Sequence, residues 1–200
     1  MAMQRRFLCI LLVSIALAGS AFAGEAAVSD AGTLAFTPGD APGEFRFDTG
    51  VLRGVIRAGG KSIGLAPIEY IPTNTQLADK MGIFNYYRVF KTNHRYGESM
   101  RALPSEATLL PDGALQVNWK PVEERPFTLT AVYRWAAPDT LDLETTVKAH
   151  LYLNDFEVFL ASYLTDQLPG AKIYVKKTPE GQANAFMTAD KAYGVWQAYP

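Results

Sequence analysis

The strongest structural signal in the sequence is the stretch from Phe127 to Val147, FTLTAVYRWAAPDTLDLETTV. Apolar side chains alternate with mostly polar ones as far as Trp135, and the same period of two returns at Leu141. Because successive side chains of a strand point to opposite faces of a sheet, this pattern predicts half-buried antiparallel strands. Pro138 and Asp139 lie between the two halves and predict the turn that joins them.

Shorter segments with the same period extend this prediction to the rest of the chain. Further strands are predicted at 45–47, 51–57, 115–119, 156–163, 173–176 and 193–199. Turns are predicted at 111–113 and at Gly59–Gly60. No segment after the signal has a convincing helical period, and 77–88 has room for one helical turn at most. Many short strands without an internal repeat or a dividing linker indicate a single antiparallel β-sandwich domain.

Composition excludes several classes of protein. The chain has 200 residues, of which 48% are hydrophobic and 20% are charged, and its formal net charge is −1. These values argue against a disordered tail and against a strongly basic nucleic-acid binder. A chain of this length can bury a core large enough to fold without disulfide bonds.

The N-terminus has the pattern of an export signal. Arg5 and Arg6 precede the apolar run 7–18, and Ala21-Phe22-Ala23 is a small-x-small cleavage pattern before Gly24. The run is shorter than the roughly 17–25 residues of a membrane-spanning helix, so we expect residues 1–23 to be cleaved as a signal peptide.

Cleavage has consequences for charge, redox chemistry and location. It would reduce the 19 basic residues to 17 against 20 acidic ones, and it would remove the single cysteine, Cys9. The mature chain would then have neither disulfide bonds nor thiolate metal sites. We expect a secreted or periplasmic protein that carries no membrane span after signal cleavage.

The remaining chain divides into a leader and a domain. Residues 24–43 are rich in Ala, Gly, Ser and Pro and predict a flexible leader, so that the sandwich domain would occupy 44–200. The segment 195–199 has the pattern of an interior strand immediately before Pro200. A terminal strand without a partner would leave an open edge, and we therefore expect the natural protein to continue beyond this point.

The segment 81–97 concentrates polar aromatic, basic and amide side chains, which suit sugar rings and carboxylates. The candidate ligand-binding residues are Tyr86, Tyr87, Arg88, Asn93 and Arg95, and the candidate catalytic residues are His94 and Tyr96. If 92–96 is extended, alternation places His94 with Tyr96 as an acid/base pair and Asn93 with Arg95 as a carboxylate clamp. The alternative is that the aromatic rings belong to the core and the charges to solvated faces.

Other ionisable residues predict no catalytic or metal site. His150 falls on the polar face of its strand, where a solvated or capping role is expected. Two histidines cannot form a histidine-rich metal site, and Asp155 with Glu157 could contribute only to an oxygen-ligand site. We therefore predict no metal and no cofactor.

The order of these segments resembles the galactose-mutarotase-like superfamily. The resemblance rests on the glycine-rich 51–64 segment, Asn93–Gly97, the strand pair 128–144 and the closing segment 156–164. It implies a large antiparallel β-sandwich, here truncated at its C-terminus, that binds sugars in a cleft on one sheet. Ala161 stands where the epimerases of that family carry their general-acid histidine, so the resemblance implies sugar binding without a complete epimerase site. The chain also resembles secreted proteins of planctomycete-type bacteria.

Three functions follow from these observations. The first is an exported carbohydrate-binding protein whose partner is an oligo- or polysaccharide. The second is a polysaccharide lyase that acts on uronate-containing glycans, with Asn or Arg neutralising the carboxylate and His or Tyr moving protons. The third is a cell-surface structural or interaction protein, which requires the aromatic residues of the 84–96 segment to be buried.

Overall fold

A computed structural model describes residues 5–9, 32–58, 62–92, 94–95, 99–168, 172–177 and 181–188. Within these residues the chain forms β-strands and two short 3₁₀ helices, η1 (Ile71–Thr73) and η2 (Met100–Ala102), without an α-helix. The strands are β1 (Arg5–Cys9), β2 (Thr33–Pro38), β3 (Glu44–Asp48), β4 (Leu52–Arg57), β5 (Gly64–Tyr70), β6 (Thr75–Ala78), β7 (Asn85–Lys91), β8 (His94–Arg95), β9 (Glu106–Leu109), β10 (Leu115–Trp119), β11 (Phe127–Ala137), β12 (Thr140–Ala149), β13 (Glu157–Ala161), β14 (Lys172–Lys177) and β15 (Ala183–Thr188).

The described strands pair antiparallel in four sheets. The first sheet has the order β2-β3-β4-β5-β6, and the second has the order β1-β12-β11-β10-β9. A small sheet has the order β13-β7-β8, and β14 with β15 forms a separate hairpin.

The second sheet follows directly from the alternation in the sequence. Phe127, Leu129, Ala131, Tyr133 and Trp135 of β11 are all buried, and the residues between them are half-buried or exposed. The predicted turn at 138–139 joins β11 to β12. The predicted period of two is therefore confirmed where the signal was strongest.

Aromatic side chains join the first sheet to the second. The ring centres of Phe47 and Trp135 are 4.9 Å apart, and Phe36 lies 5.9 Å from the same indole. The backbone N–H of Phe36 also donates a hydrogen bond of 2.9 Å to the carbonyl oxygen of Gly113. Both sheets thus cover one core, and the predicted all-β antiparallel sandwich is confirmed.

The small sheet packs on the same core. Leu65 of β5 pairs with Ile83 through an isolated bridge, which connects the first sheet to the segment before β7. The ring of Tyr86 in β7 lies 5.3 Å from Trp119 in β10. These contacts place the predicted ligand-binding segment at the junction of the sheets.

Four predicted elements differ from the structure or lie outside it. Part of the predicted leader is ordered as β2, because burying Phe36 fixes this segment against the first sheet. The segment 77–88 contains the end of β6 and the start of β7 instead of a helical turn. The predicted strand 193–199 and the glycine pair at 59–60 lie outside the described residues.

The export signal stays a prediction. Within it the structure has β1, which pairs antiparallel with β12. Among the described residues, no helix has the length and apolar character needed to cross a membrane.

Candidate functional site

A β-bulge in β7 determines which of its side chains reach the surface. Arg88 lies opposite Phe159 of β13 and Tyr86 lies opposite Leu160, so Tyr87 is the extra residue of the bulge. A bulge interrupts the strict alternation of a strand and redirects side chains. Tyr86 is consequently buried, whereas Tyr87 and Arg88 are both partly exposed although they are adjacent.

Tyr86 belongs to the core and not to a ligand-lining surface. Its side chain is 2% exposed, its ring packs against Trp119, and its hydroxyl is hydrogen-bonded to the hydroxyl of Thr145 in β12. This placement corrects the prediction that its ring contacts a ligand. The ring is directed inward because the small sheet covers the end of the second sheet at this point.

Two guanidinium groups converge on the ring of Tyr87. The Cζ atoms of Arg88 and Arg101 lie 4.5 and 4.9 Å from the ring centre. The Nη2 of Arg88 also donates a hydrogen bond of 3.1 Å to the Tyr87 hydroxyl oxygen. This bond, together with the positive charges of Arg88, Arg101 and Arg95, holds the pKa of Tyr87 below its usual value despite some desolvation. We call Tyr87, Arg88 and Arg101 the guanidinium cluster.

Arg101 is held in place by the backbone around it. It lies in η2, whose Met100 carbonyl oxygen accepts a 3.2 Å hydrogen bond from the Trp119 indole N–H. The hydroxyl of Ser99, immediately before η2, donates a 2.7 Å bond to the carbonyl oxygen of Tyr87. The turn that carries Arg101 is therefore tied both to the core and to β7.

The chain after β7 turns and is not extended from Thr92 as predicted. Thr92 has a φ of 51°, and Lys91 pairs with His94 across the tight turn. Asn93 lies outside the described residues. The side-chain pairs expected for an extended 92–96 segment involve Asn93 and Tyr96, and they stay predictions.

The remaining candidate residues of this segment are only partly described. Tyr96 lies outside the described residues, and of His94 the structure gives the backbone. Arg95 is exposed and lies opposite Phe90 in the strand pair. The acid/base pair and the carboxylate clamp stay predictions.

His150 is exposed and has local hydrogen-bond partners. Its Nε2 lies 3.0 Å from the hydroxyl oxygen of Thr128, and its backbone N–H donates a 2.8 Å bond to the carbonyl oxygen of Pro126. This is the solvated, capping environment expected for it. Within the described ranges, no group of three or more His, Cys, Asp or Glu side chains has the arrangement of a metal site.

A groove of about 580 Å³ lies on the outer face of the first sheet. All five strands of this sheet contribute to it, mostly through side chains that point away from the core, and the buried Phe47 and the half-buried Gly54 also line it. The groove is lined by Thr33, Ala35, Thr37, Arg46, Phe47, Asp48, Arg53, Gly54, Val55, Pro67, Glu69 and Gln76.

One side of the groove is a continuous row of polar side chains across the sheet. Thr33 pairs with Asp48, Asp48 with Arg53, Arg53 with Glu69, and Glu69 with Gln76. The guanidinium of Arg53 donates a 3.1 Å hydrogen bond to the carboxylate of Glu69. We call these five residues the polar ladder.

The rest of the groove is less polar. Ala35, Val55 and Pro67 contribute an apolar strip beside the polar ladder. Thr37 pairs with Arg46 and Arg46 pairs with Val55, so these two polar residues continue the row of Val55 across the sheet, and Arg46 also forms ion pairs with Asp40 and Glu44. The groove thus combines an apolar strip with hydrogen-bonding groups beside it and at one end of it.

Sequence reasoning missed the groove because the groove depends on register between strands. The alternation within each strand shows which residues share a face, but not which residues of neighbouring strands are opposite. Cross-strand charge complementarity, such as that between Arg53 and Glu69, is the signal that could have indicated it.

Comparison with known proteins gives no identification. No protein-family model matches the chain, and neither the curated proteins nor the solved structures contain a match to it. The functional interpretation therefore rests on the geometry described above.

Proposed function

We propose that this protein is an exported carbohydrate-binding β-sandwich that holds a saccharide in the groove of the first sheet. The observation that carries the proposal is the apolar strip of Ala35, Val55 and Pro67 bordered by the polar ladder. Its volume of about 580 Å³ is within the range of roughly 300–1,000 Å³ that is usual for ligand sites.

The chemistry of the groove matches that of a sugar. A pyranose has apolar C–H faces and a rim of hydroxyl groups that both donate and accept hydrogen bonds. The apolar strip can cover the former, while Arg53 supplies donors and Asp48 and Glu69 supply acceptors for the latter.

The charge of the groove favours an uncharged saccharide. The two arginines of the lining, Arg46 and Arg53, are balanced by the two carboxylates, Asp48 and Glu69. A ligand with a net charge would gain no overall attraction from such a balanced surface. The predicted mutarotase-like resemblance also implies a sugar cleft on one sheet, and it remains part of this proposal.

Calorimetric titration of the full chain with a panel of neutral and acidic oligosaccharides tests the proposal. Arg53→Gln and Glu69→Gln should each weaken binding of the best neutral saccharide about tenfold, because each removes charge-assisted hydrogen bonds. Arg134→Gln is the matched control, since it breaks a similar exposed ion pair with Asp112 at 2.8 Å on the second sheet.

Circular dichroism melting would show that the variants remain folded. The absence of measurable binding to every saccharide would overturn the proposal, as would equal affinity in the two groove variants and the wild type.

The other two predicted functions have less support. The lyase requires His94 and Tyr96, whose side chains the structure does not describe, so it stays a prediction that an unsaturated, ultraviolet-absorbing product would support. The scaffold function requires the aromatic residues of the 84–96 segment to be buried, and this holds for Phe84 and Tyr86 but not for the partly exposed Tyr87.

A further inference from the structure

We infer that the guanidinium cluster is a separate binding site for a carboxylate, and that it recognises the acid group of an acidic ligand. The cluster lies on the small sheet and η2, and none of its residues lines the groove of the first sheet. The inference is thus independent of saccharide binding in that groove.

The guanidinium cluster concentrates positive charge. Arg88 and Arg101 approach the same ring, and Arg95 contributes a third positive charge to its electrostatic environment. Four other described arginines, Arg46, Arg53, Arg57 and Arg134, each form an ion pair with a carboxylate, whereas Arg125 does not.

Among the described residues, Arg88, Arg95 and Arg101 form no such ion pair. Arg88 and Arg101 both approach one ring, so a carboxylate bound beside that ring is attracted by more than one positive charge.

The guanidinium cluster is positioned before any ligand binds. The hydrogen bonds from Trp119 to the Met100 carbonyl oxygen and from Ser99 to the Tyr87 carbonyl oxygen fix η2 against the core and β7. The bulge in β7 places Tyr87 and Arg88 on the exposed side together. Positively charged side chains that are positioned before binding lose less conformational entropy when a ligand arrives.

The chemistry of the guanidinium cluster favours a carboxylate over other anions. A guanidinium is planar and matches the two oxygens of a carboxylate with paired hydrogen bonds. The Tyr87 ring is covered by guanidinium groups and packs edge to face with Phe159 at 6.1 Å, so the partly exposed Phe159 is the apolar surface next to the charges. A carboxylate attached to an apolar or ring-shaped body fits this combination better than a spherical anion does.

The test uses the full-length chain and three probes: an oligogalacturonate, its carboxyl-reduced neutral counterpart and free glucuronate. We expect the oligogalacturonate to bind at least tenfold more tightly than the reduced compound. Comparable binding of free glucuronate would identify a monomeric acid as sufficient, whereas much weaker binding would identify the acidic chain as the ligand. Both outcomes support a carboxylate site.

Variants assign the site to these residues. Arg101→Gln and Arg88→Gln should each reduce the affinity for the acidic probe about tenfold, whereas Arg134→Gln should not change it. Arg88→Lys should restore only part of the affinity, because lysine keeps the charge but loses the planar pair of donors. The readout is the ratio of affinities for the acidic and the carboxyl-reduced probe. The groove variant Arg53→Gln should lower both affinities to the extent that the groove binds saccharide without changing this ratio, which separates failure of this inference from failure of the proposed function.

Tyrosine absorbance supplies a second readout. A carboxylate bound at Arg88 and Arg101 competes with the Tyr87 phenolate for the same positive charges, so the acidic probe should raise the pH at which Tyr87 ionises. Equal binding of the acidic and reduced probes would overturn the inference. Unchanged affinity in folded Arg88→Gln and Arg101→Gln proteins would do the same.

Discussion

Neighbouring tyrosines in β7 occupy opposite environments. Tyr86 is buried between the small sheet and the second sheet, and Tyr87 lies at the surface between arginines. The bulge at Tyr87 causes this separation and also keeps Tyr87 on the same side as Arg88. A single extra residue in one strand therefore divides the predicted aromatic patch into a core part and a surface part.

Removing the hydroxyl of Tyr86 should destabilise the protein without changing ligand binding. Tyr86→Phe deletes the hydrogen bond to Thr145 and should lower the free energy of unfolding by about 1 kcal/mol. Urea denaturation followed by circular dichroism measures this change. Tyr152→Phe is the control, because Tyr152 is 87% exposed and should show no measurable change. Equal stability of the two variants would contradict the buried placement of the Tyr86 hydroxyl.

Tyr87 should ionise at a lower pH than an ordinary tyrosine. The Arg88 hydrogen bond and the surrounding positive charges lower the pKa of Tyr87, whereas burial raises the pKa of Tyr133 well above its usual range. A lowered pKa in the folded state means that the ionised form favours folding, so this contribution is absent at neutral pH and develops as pH rises through the folded pKa.

Spectrophotometric titration of the phenolate band measures this ionisation. The earliest transition should disappear in Tyr87→Phe and move to higher pH in Arg88→Gln. A wild-type curve without an early component would contradict the contact between Arg88 and the Tyr87 hydroxyl.

The pairing of β4 with β5 requires a glycine at position 54. The register between the two strands shifts between Gly54 and Ile56. A Cβ atom at Gly54 would lie 2.3 Å from the carbonyl oxygen of Pro67 and 2.9 Å from the ring of Phe47. The close approach of backbone and ring at this position leaves no room for a side chain.

Gly54→Ala should therefore destabilise the first sheet. The steric conflict is with the backbone, which cannot move without disturbing the strand pair, and the expected loss is about 1–3 kcal/mol. Gly39→Ala is the control, because the three atoms nearest its Cβ would belong to the Glu44 side chain and not to the backbone, so a smaller loss than at Gly54 is expected. Thermal melting of both variants gives the comparison, and a larger loss at Gly39 would contradict it.

Strands with strict alternation could be predicted from sequence, whereas interactions between strands could not. The residues of β10, β11 and β12 follow the two-residue period and were located correctly because burial on one face imposes it. The predicted leader includes β2, because only Leu34 and Phe36 show the two-residue period in this segment. A strand that buries only Phe36 gives too short a pattern to be distinguished from a leader. The bulge at Tyr87 and the polar ladder depend on cross-strand register, which local patterns do not specify.

Across the whole molecule, the strands differ in how much support they receive. β11 pairs with two strands and buries one face on the common core, whereas β14 and β15 pair only with each other among the described strands. The aromatic pair of this hairpin, Tyr174 and Phe186, is about half exposed. A two-stranded hairpin of this kind has little stability of its own.

Hydrogen exchange should reveal this difference. Amides of β14 and β15 should exchange through local opening well before those of β11, whose exchange should require global unfolding. Mass spectrometry of peptides covering 172–188 and 127–137 measures the two rates at one pH. Equal protection of both regions would show that the hairpin is stabilised by contacts beyond its own pairing.

The charge balance of the groove also determines how the two proposed sites should respond to ionic strength. Because Arg46 and Arg53 carry as much charge in the groove lining as Asp48 and Glu69, the field of the groove largely cancels within a short distance, and dissolved salt has little left to screen. The guanidinium cluster has no such internal cancellation among the described residues. Binding in the groove should therefore tolerate salt, whereas binding at the guanidinium cluster should weaken with it. At high ionic strength the protein would retain an uncharged glycan and release an acidic one.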